Sequence, residues 1–289
     1  MHPQTRLGSI EFINSLPVDW GLLSGAVPSE VSILQASPAR LNQEILEGGL
    51  DISPVSVFWY AEHHEKLLLL PDLSISSQSG VQSVLLFSRF DLPDLRERQI
   101  ALTGKGRTTP ALLEILCRYR HRFIPHFVPV HPECLEIPKG SDALLLIGDE
   151  ALMARGGHKD SEIRVIDLAE EWWKWTALPI VFAVWAVRRD YFESNRQRVY
   201  DAYRALIRSR DWGLSHLEEI LETAQKKLGL SRPALKDYFS FLYYHLDTDL
   251  LQGTRLFFNY ALKCGLLESM PSIETILDVD QAVTRVEGR

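Results

Sequence analysis

The stretch EVSILQASPARLNQEILEGGLDISPVSV, residues 30–57, decides the predicted fold. A strand-like run, EVSILQAS, leads into a segment in which Ser37 precedes a proline and apolar residues recur at helical spacing. Two glycines end this helix, and the apolar run LDISPVSV follows. Strand, helix and strand in immediate succession predict a mostly parallel α/β sheet.

The same alternation extends in both directions from this unit. Before it come the strand-like LGSIEFI and the short helix PVDWGLLSG, and after it the helix SVFWYAEHHEKL and the apolar LLLLPDLSI. A second α/β series begins with the strand RQIALTG and the helix TPALLEILCRYR and ends with the strand IRVIDL. From Asp190 to about Gly265 the pattern is almost entirely helical.

Two α/β series joined by long apolar strands at 81–88 and 179–187 predict two lobes with two crossings between them. The first lobe would then be discontinuous, consisting of residues 1–88 and 183–289 and including the helical tail. The second lobe would be residues 89–182, with a ligand cleft between the lobes. Two sequential domains divided near residue 95 fit the pattern almost as well.

Composition narrows the classes of function. The formal net charge is −7 and no basic stripe occurs, which argues against a nucleic-acid partner. The three cysteines lack CxxC spacing and predict reduced thiols. The first residues lack a signal-peptide pattern, and the longest apolar run, 177–187, is shorter than the roughly 20 residues of a membrane span. We interpret that run as a buried parallel strand and expect a soluble, cytoplasmic protein without a membrane partner.

The most unusual motif is TGKGRTTPALLEIL, residues 103–116, a glycine- and threonine-rich start to a predicted helix. It is not a P-loop, because lysine does not stand directly before a hydroxyl residue, and it lacks the third glycine of a dinucleotide-binding turn. Free N–H groups at a helix N-terminus attract an anion, and Thr108 and Thr109 add hydroxyl donors. The alternative is an ordinary helix start with Pro110 in its first turn.

Three other places carry polar residues where a ligand could lie. Asn14 and Ser15 follow the first strand, at the edge of the sheet where α/β proteins bind ligands, although they could merely cap the next helix. Ser83 lies in an apolar strand, where its hydroxyl needs a partner. Asp149 follows another buried strand and is either a ligand-facing carboxylate or a favourable acidic residue in the first turn of a helix.

Six motifs together resemble one family, the chorismate dehydratases of the futalosine route to menaquinone. They are in family order and cover roughly residues 7 to 189: GSIEFINSLPV, DISPVSVFWYA, LLPDLSISSQSGVQSVLLFS, IALTGKGRTTPALLEIL, DALLLIGDEAL and DLAEEWWKWTALPIVFAVWAVR. The resemblance implies a fold like that of type II periplasmic binding proteins, which favours the discontinuous lobe over two sequential domains.

The resemblance also implies a reaction and a site. Chorismate would lose water to give an aromatic product without metal or cofactor. The alternatives are the sister dihydroxynaphthoate synthase of the same route and a non-catalytic solute-binding protein. The sequence leaves the oligomeric state open between a monomer and a homodimer. The implied catalytic residues are Asn14, Ser83 and Asp149, with the substrate's own enolpyruvyl carboxylate as a further candidate base. The implied substrate-binding residues are Ser15, Ser56, Ser76, Gly106, Arg107, Thr108, Thr109 and Gly148. Where this chain has Gly106, the family usually has serine, so we expect only a backbone role there.

Overall fold

The protein is described by a computed structural model over residues 4–157 and 162–280. The strands are β1 (Thr5–Ile10), β2 (Val31–Ala36), β3 (Ile52–Ser56), β4 (Leu67–Ser77), β5 (Val84–Ser88), β6 (Gln99–Leu102), β7 (His126–Pro129), β8 (Ala143–Ile147), β9 (Arg164–Asp167) and β10 (Ile180–Arg188). The α-helices are α1 (Leu16–Leu23), α2 (Pro38–Glu47), α3 (Val57–His63), α4 (Thr108–Ile115), α5 (Gly148–Gly157), α6 (Leu168–Thr176), α7 (Arg189–Ser215), α8 (Leu217–Leu228), α9 (Arg232–Ser240) and α10 (Thr248–Lys263). Short 3₁₀ turns span Ile13–Ser15 and Leu92–Leu95, and a π-helical turn, Leu116–Arg120, continues α4.

The segment that predicted the fold forms as expected. Helix α2 begins at Pro38, directly after Ser37, and ends at Gly48, whose φ of +80° is a left-handed conformation that favours glycine. Leu41 and Ile45, four residues apart, are its fully buried side chains and face the sheet. The Ser37 hydroxyl makes no capping hydrogen bond, so this helix is positioned by its apolar face and by its ends.

The strands form two five-stranded sheets, ordered β2-β1-β3-β10-β4 and β7-β6-β8-β5-β9. In the first, β1 pairs in parallel with β2 and β3, and β10 pairs antiparallel with β3 and β4. In the second, β6 pairs in parallel with β7 and β8, and β5 pairs antiparallel with β8 and β9. The prediction of mixed α/β architecture with a helical C-terminal segment is confirmed.

The prediction of mostly parallel sheets is wrong, and strand β10 shows why. This apolar run was interpreted as a buried parallel strand; it is buried, but it lies antiparallel to both neighbours. The chain returns from the second sheet and enters the first in the opposite direction to β3 and β4. A strand buried on both faces has the same apolar composition in either direction, so the sequence pattern does not distinguish the two.

The chain passes between the sheets twice. It leaves the first sheet after β4, builds the whole second sheet with β5 to β9, and returns with β10. Strand β5 (Val84–Ser88), placed by the sequence boundary in the first lobe, pairs within the second sheet. We therefore propose lobe boundaries that follow the sheets, with residues 78–83 as one link and α6 with residues 177–179 as the other. The two ends of the predicted first lobe, residues 1–3 and 281–289, lie outside the described residues.

The helical tail packs against the first lobe and one of the links. Trp172 of α6 is fully buried, and its ring lies edge-on to Phe257 and Tyr260 of α10, with centroid distances of 6.2 and 6.4 Å. Trp172 is therefore a packing residue, whereas the neighbouring Trp173 is 39% exposed. In the described residues, no helix has both the length and the apolar character needed to cross a membrane.

Substituting Gly253 is expected to destabilise the protein, because helix α10 touches the second link backbone to backbone at this glycine. A Cβ added at Gly253 would lie 2.1 Å from the carbonyl oxygen of Pro179. Glycine to alanine normally stabilises a helix interior by about 1 kcal/mol. Here we expect Gly253→Ala to lower the free energy of unfolding by about 1–3 kcal/mol, as overpacking does.

Chemical denaturation followed by circular dichroism measures this effect. The matched control is Gln252→Ala, an exposed neighbour in the same helix, which we expect to change stability by less than about 0.5 kcal/mol. A Gly253→Ala protein as stable as the wild type, or more stable, would contradict the close contact between α10 and the link.

Candidate functional site

A cleft opens between the two sheets, and the turn after β1 supplies its first polar side chain. The 3₁₀ turn Ile13–Ser15 carries Asn14 into the cleft lining. Within the described residues, the Asn14 Oδ1 is buried and has no hydrogen-bond partner. Ser15 does not line the cleft; its hydroxyl donates to the carbonyl oxygens of Ile10 and Phe12 at 2.8 and 3.1 Å. Ser15 therefore shapes the turn, and Asn14, which lines the cleft, is left with an unsatisfied acceptor.

The N-terminus of α4 forms the opposite wall of the cleft. Gly106, Arg107, Thr108 and Thr109 all line it. Gly106 has a φ of +75°, a left-handed conformation in which serine would be strained, so the loop requires the glycine that departs from the family pattern. The first N–H groups of an α-helix have no intrahelical partner. Thr109 lines the cleft, and its side chain makes no hydrogen bond within the described part of the chain, so its hydroxyl is free to bind a ligand.

The hydroxyl of Thr108 is already used to hold the lobes together. It accepts a hydrogen bond from the backbone N–H of Phe58 at 3.1 Å and donates to the carbonyl oxygen of Phe182 at 3.5 Å. Phe58 lies in α3 and Phe182 in β10 of the first sheet, whereas α4 follows β6 of the second sheet. The Arg107 guanidinium makes a second cross-lobe contact, an ion pair with Glu62 of α3. The cleft is therefore in a closed arrangement.

The first link between the lobes contributes Ser83. This residue is 2% exposed, lines the cleft, and accepts a hydrogen bond from the hydroxyl of Tyr238 at 3.2 Å. Its carbonyl oxygen accepts from the N–H of Gly148 at 2.7 Å, which ties the link to the start of α5. Gly148 also lines the cleft, and a Cβ there would lie 3.1 Å from the ring of Phe12. Glycine thus allows the two lobes to approach closely.

Asp149 lies beside the cleft, outside the lining residues. Its carboxylate accepts a hydrogen bond from the backbone N–H of Ile13 at 3.0 Å and lies 3.0 Å from the Nζ of Lys227 in α8. Burial raises the pKa of Asp149, and the Ile13 N–H and the Lys227 ammonium oppose that effect. The residue thus joins the second lobe to the turn after β1 and to the helical tail.

Of the two remaining predicted residues, one lines the cleft and the other lies in the protein interior. Ser56 lines the cleft, and its hydroxyl caps α3 by accepting from the N–H of Trp59 at 3.3 Å. Ser76 is fully buried outside the lining, and its hydroxyl donates to the carbonyl oxygen of Tyr243 at 2.9 Å. The structure therefore brings together Asn14, Ser56, Ser83, Gly106, Arg107, Thr108, Thr109 and Gly148, and it places Ser15, Ser76 and Asp149 behind them.

Sequence reasoning missed the apolar part of the lining and the contribution of the tail. The apolar lining comes from strand ends and turns of both lobes, and includes Ile10, Phe12, Pro38, Ile75, Val81, Val84, Ile147, Phe182, Ala183 and Leu242. Tyr238 and Lys227, which contact Ser83 and Asp149, are far from them in sequence. No local pattern marks these two residues, because their role depends on how the tail folds back onto the links.

Fold and cleft together define a two-lobed protein with the fold of the periplasmic binding proteins, and the cleft is lined by polar groups and by the N-terminus of a helix. Solved structures agree on the fold. A protein from Archaeoglobus fulgidus superposes with a TM-score of 0.74 at 19% identity, covering 92% of this chain and 100% of that chain. The periplasmic aliphatic sulphonate binding protein of Escherichia coli has a TM-score of 0.67 at 13% identity, covering 94% and 91%.

Sequence comparison then gives the family. A family model described as menaquinone biosynthesis matches residues 5–263, and the chain belongs to this family. It is 33% identical over 245 residues to the chorismate dehydratase of Thermus thermophilus, covering 78% of this chain and 84% of the relative. It is 26% identical over 219 residues to the 1,4-dihydroxy-6-naphtoate synthase of the same organism, covering 75% and 77%. The resemblance seen in the six motifs is confirmed.

Proposed function

We propose that this protein is a chorismate dehydratase, a hydro-lyase that converts chorismate to 3-[(1-carboxyvinyl)oxy]benzoate and water. The similarity to the Thermus thermophilus chorismate dehydratase carries the proposal. The protein would act in the cytoplasm, in the futalosine route to menaquinone, without metal or cofactor. The cleft supports this assignment with a helix N-terminus for a carboxylate and apolar walls for a ring.

Helix α4 would stabilise the charge that develops during proton removal. The C3 hydrogen of chorismate is vinylogous to the ring carboxylate, so its removal as a proton places negative charge on that carboxylate. The unpaired N–H groups at Thr108 and Thr109 would interact more strongly with this charge in the transition state than with the ground-state substrate. Because the Thr108 hydroxyl is paired across the lobes, we assign the hydroxyl contribution to Thr109.

The enolpyruvyl carboxylate of the substrate is the proton acceptor that we favour. The Asp149 carboxylate is engaged by Ile13 and Lys227 and lies outside the lining, which weakens its candidacy as the base. Departure of the C4 hydroxyl, which leaves with a proton as water, then gives an aromatic ring. The proton and the hydroxide that leave together make one water molecule, so the reaction needs neither an oxidant nor a reductant.

Asn14 and Ser83 would orient the substrate for this step. The unpartnered Oδ1 of Asn14 requires a donor, and the C4 hydroxyl of chorismate is the one hydroxyl that the substrate has. The amide nitrogen of the same side chain would donate to a carboxylate. Closure of the lobes through Thr108 and Arg107 would exclude bulk water while the two carboxylates are aligned.

Purified protein mixed with chorismate, with no metal or cofactor added, tests the proposal. Chromatography with mass detection should show a protein-dependent aromatic product lighter than chorismate by one water. Unchanged chorismate that nevertheless binds would point to a binding protein, whereas no binding would point to another member of the family, such as the naphthoate synthase. Either result would overturn the proposed reaction.

A further inference from the structure

Tyr238 of helix α9 is a buried side chain next to the cleft, and it has no role in the mechanism described above. It is 1% exposed, and its phenolic oxygen lies 3.2 Å from the Oγ of Ser83. The phenol is the donor in this hydrogen bond and the serine is the acceptor. Tyr238 is outside the cleft lining, so it reaches the cleft only through Ser83.

This hydrogen bond limits what the Ser83 hydroxyl can do. A serine hydroxyl has one hydrogen to donate and two lone pairs to accept with. Tyr238 occupies a lone pair, and the described residues contain no acceptor for the Ser83 hydrogen. Because Ser83 is 2% exposed and lines the cleft, a partner for that hydrogen has to lie in the cleft, as a water molecule or, in the complex, as the ligand that displaces it.

Tyr238 remains a donor throughout the physiological pH range. Burial raises the pKa of its phenol, the hydrogen bond with Ser83 opposes this effect, and the negative charge of Asp149 adds to it. A hydroxyl that accepts a hydrogen bond becomes a stronger donor in turn, because successive hydrogen bonds polarise one another. The arrangement therefore favours Ser83 as a donor and disfavours it as an acceptor.

We propose that Tyr238 is a positioning residue, which fixes the Ser83 hydroxyl as a hydrogen-bond donor to an anionic or ether oxygen of the substrate. This inference rests on the proposed chorismate dehydratase function and adds a residue from the helical tail to that site. The tail would then take part in substrate orientation as well as in packing.

A double-mutant cycle tests this role. Tyr238→Phe, Ser83→Ala and the double variant are compared with the wild type in chorismate dehydration and, by calorimetry, in chorismate binding. We expect Tyr238→Phe to lower kcat about tenfold, the scale of one hydrogen bond, with a smaller change in KM. In the Ser83→Ala background, the same substitution should have no further effect, because the residue through which it acts is gone.

Two further variants separate hydrogen bonding from packing. Tyr244→Phe is the matched control: Tyr244 is also buried, but its hydroxyl has no partner in the described residues and lies outside the lining, so activity should be unchanged. Replacing Tyr238 with 4-aminophenylalanine keeps the ring and a donor, and it should restore activity to within about threefold of the wild type. This second replacement also provides a test if the phenylalanine variant does not fold.

The outcomes distinguish the two proposals. An active wild type in which Tyr238→Phe lowers kcat equally with and without Ser83 would overturn the positioning role and leave the dehydratase assignment intact. An aminophenylalanine variant as impaired as the phenylalanine variant would also overturn it. A wild type that binds chorismate without converting it would overturn the dehydratase assignment. The double-mutant cycle measured in binding affinity would then still test the role of Tyr238. A wild type that neither binds nor converts chorismate would overturn both.

Discussion

Replacing Asn14 with aspartate is expected to lower the rate of chorismate dehydration by at least about a hundredfold, the effect of losing one preorganised hydrogen-bond donor near a developing charge. The change keeps the shape of the side chain but replaces its amide donor with a carboxylate oxygen. That carboxylate would face the two carboxylates of the substrate in a buried cleft, where like charges repel strongly. Steady-state kinetics on chorismate measure the effect, and we expect losses in both kcat and kcat/KM.

The control for this prediction is Asn259→Asp in helix α10. Asn259 is a partly buried asparagine that is absent from the lining of the cleft and of the adjoining cavity at Gly106 and Arg107. We expect this variant to retain turnover close to that of the wild type. If Asn14→Asp converts chorismate as fast as the wild type, Asn14 only shapes the turn after β1 and the proposed orientation of the substrate is wrong.

A second large effect is expected on stability, at Asp19 of helix α1. Its carboxyl is 2% exposed, accepts a hydrogen bond from the Ser9 hydroxyl at 2.7 Å, and has a buried Oδ1 without a partner in the described residues. Burial raises the pKa of Asp19 from 3.8 to about 7. The folded protein therefore keeps a proton that the unfolded chain releases as the pH rises above about 4.

The sign of the pH dependence follows from this difference in proton binding. The contribution of Asp19 to the free energy of unfolding is complete below pH 4, declines as the pH rises, and is lost above about pH 7. About three pKa units correspond to roughly 4 kcal/mol across that interval. Asp19→Asn keeps the acceptor for Ser9 but cannot ionise, so we expect it to remove this decline and to be the more stable protein at pH 7.5.

Urea denaturation of wild type and variant between pH 4 and 7.5 measures the difference. Asp201→Asn is the control, because Asp201 is an exposed aspartate that pairs with the surface residues Arg204 and Gln197, and the stability profile of this variant should follow that of the wild type. Parallel profiles for Asp19→Asn and wild type would show that Asp19 ionises in the folded protein as it does in the unfolded chain.

Much of the fold was predictable from the sequence because strand, helix and turn signals are local. The βαβ unit around Pro38 and Gly48 forms with the predicted ends. The direction of β10 was not predictable, since its burial leaves no alternation and its neighbours are separated from it by the whole second sheet. The pairing of β5 with β8 and β9 was not predictable for the same reason: pairing partners are set by topology and not by the composition of the strand.

Part of the candidate site was also predictable from local sequence signals. Polar residues at strand ends and at a helix start identified Asn14, Ser83 and Thr109, all of which line one cleft. Local sequence does not tell whether a polar group faces the ligand or another part of the protein. Ser76 and Asp149 make their hydrogen bonds to segments distant in sequence, so that only the folded chain shows where they point.

The arrangement of β10 in the first sheet also has a consequence for biogenesis. Strand β4 has β10 as its neighbour in that sheet, and β10 is synthesised roughly 100 residues later. Strands β5 to β9 of the second sheet are made without interruption by the first sheet, and domains generally fold as units during synthesis. Strands β3 and β4 lack their common neighbour until β10 emerges, so we expect the second sheet to complete its folding before the first.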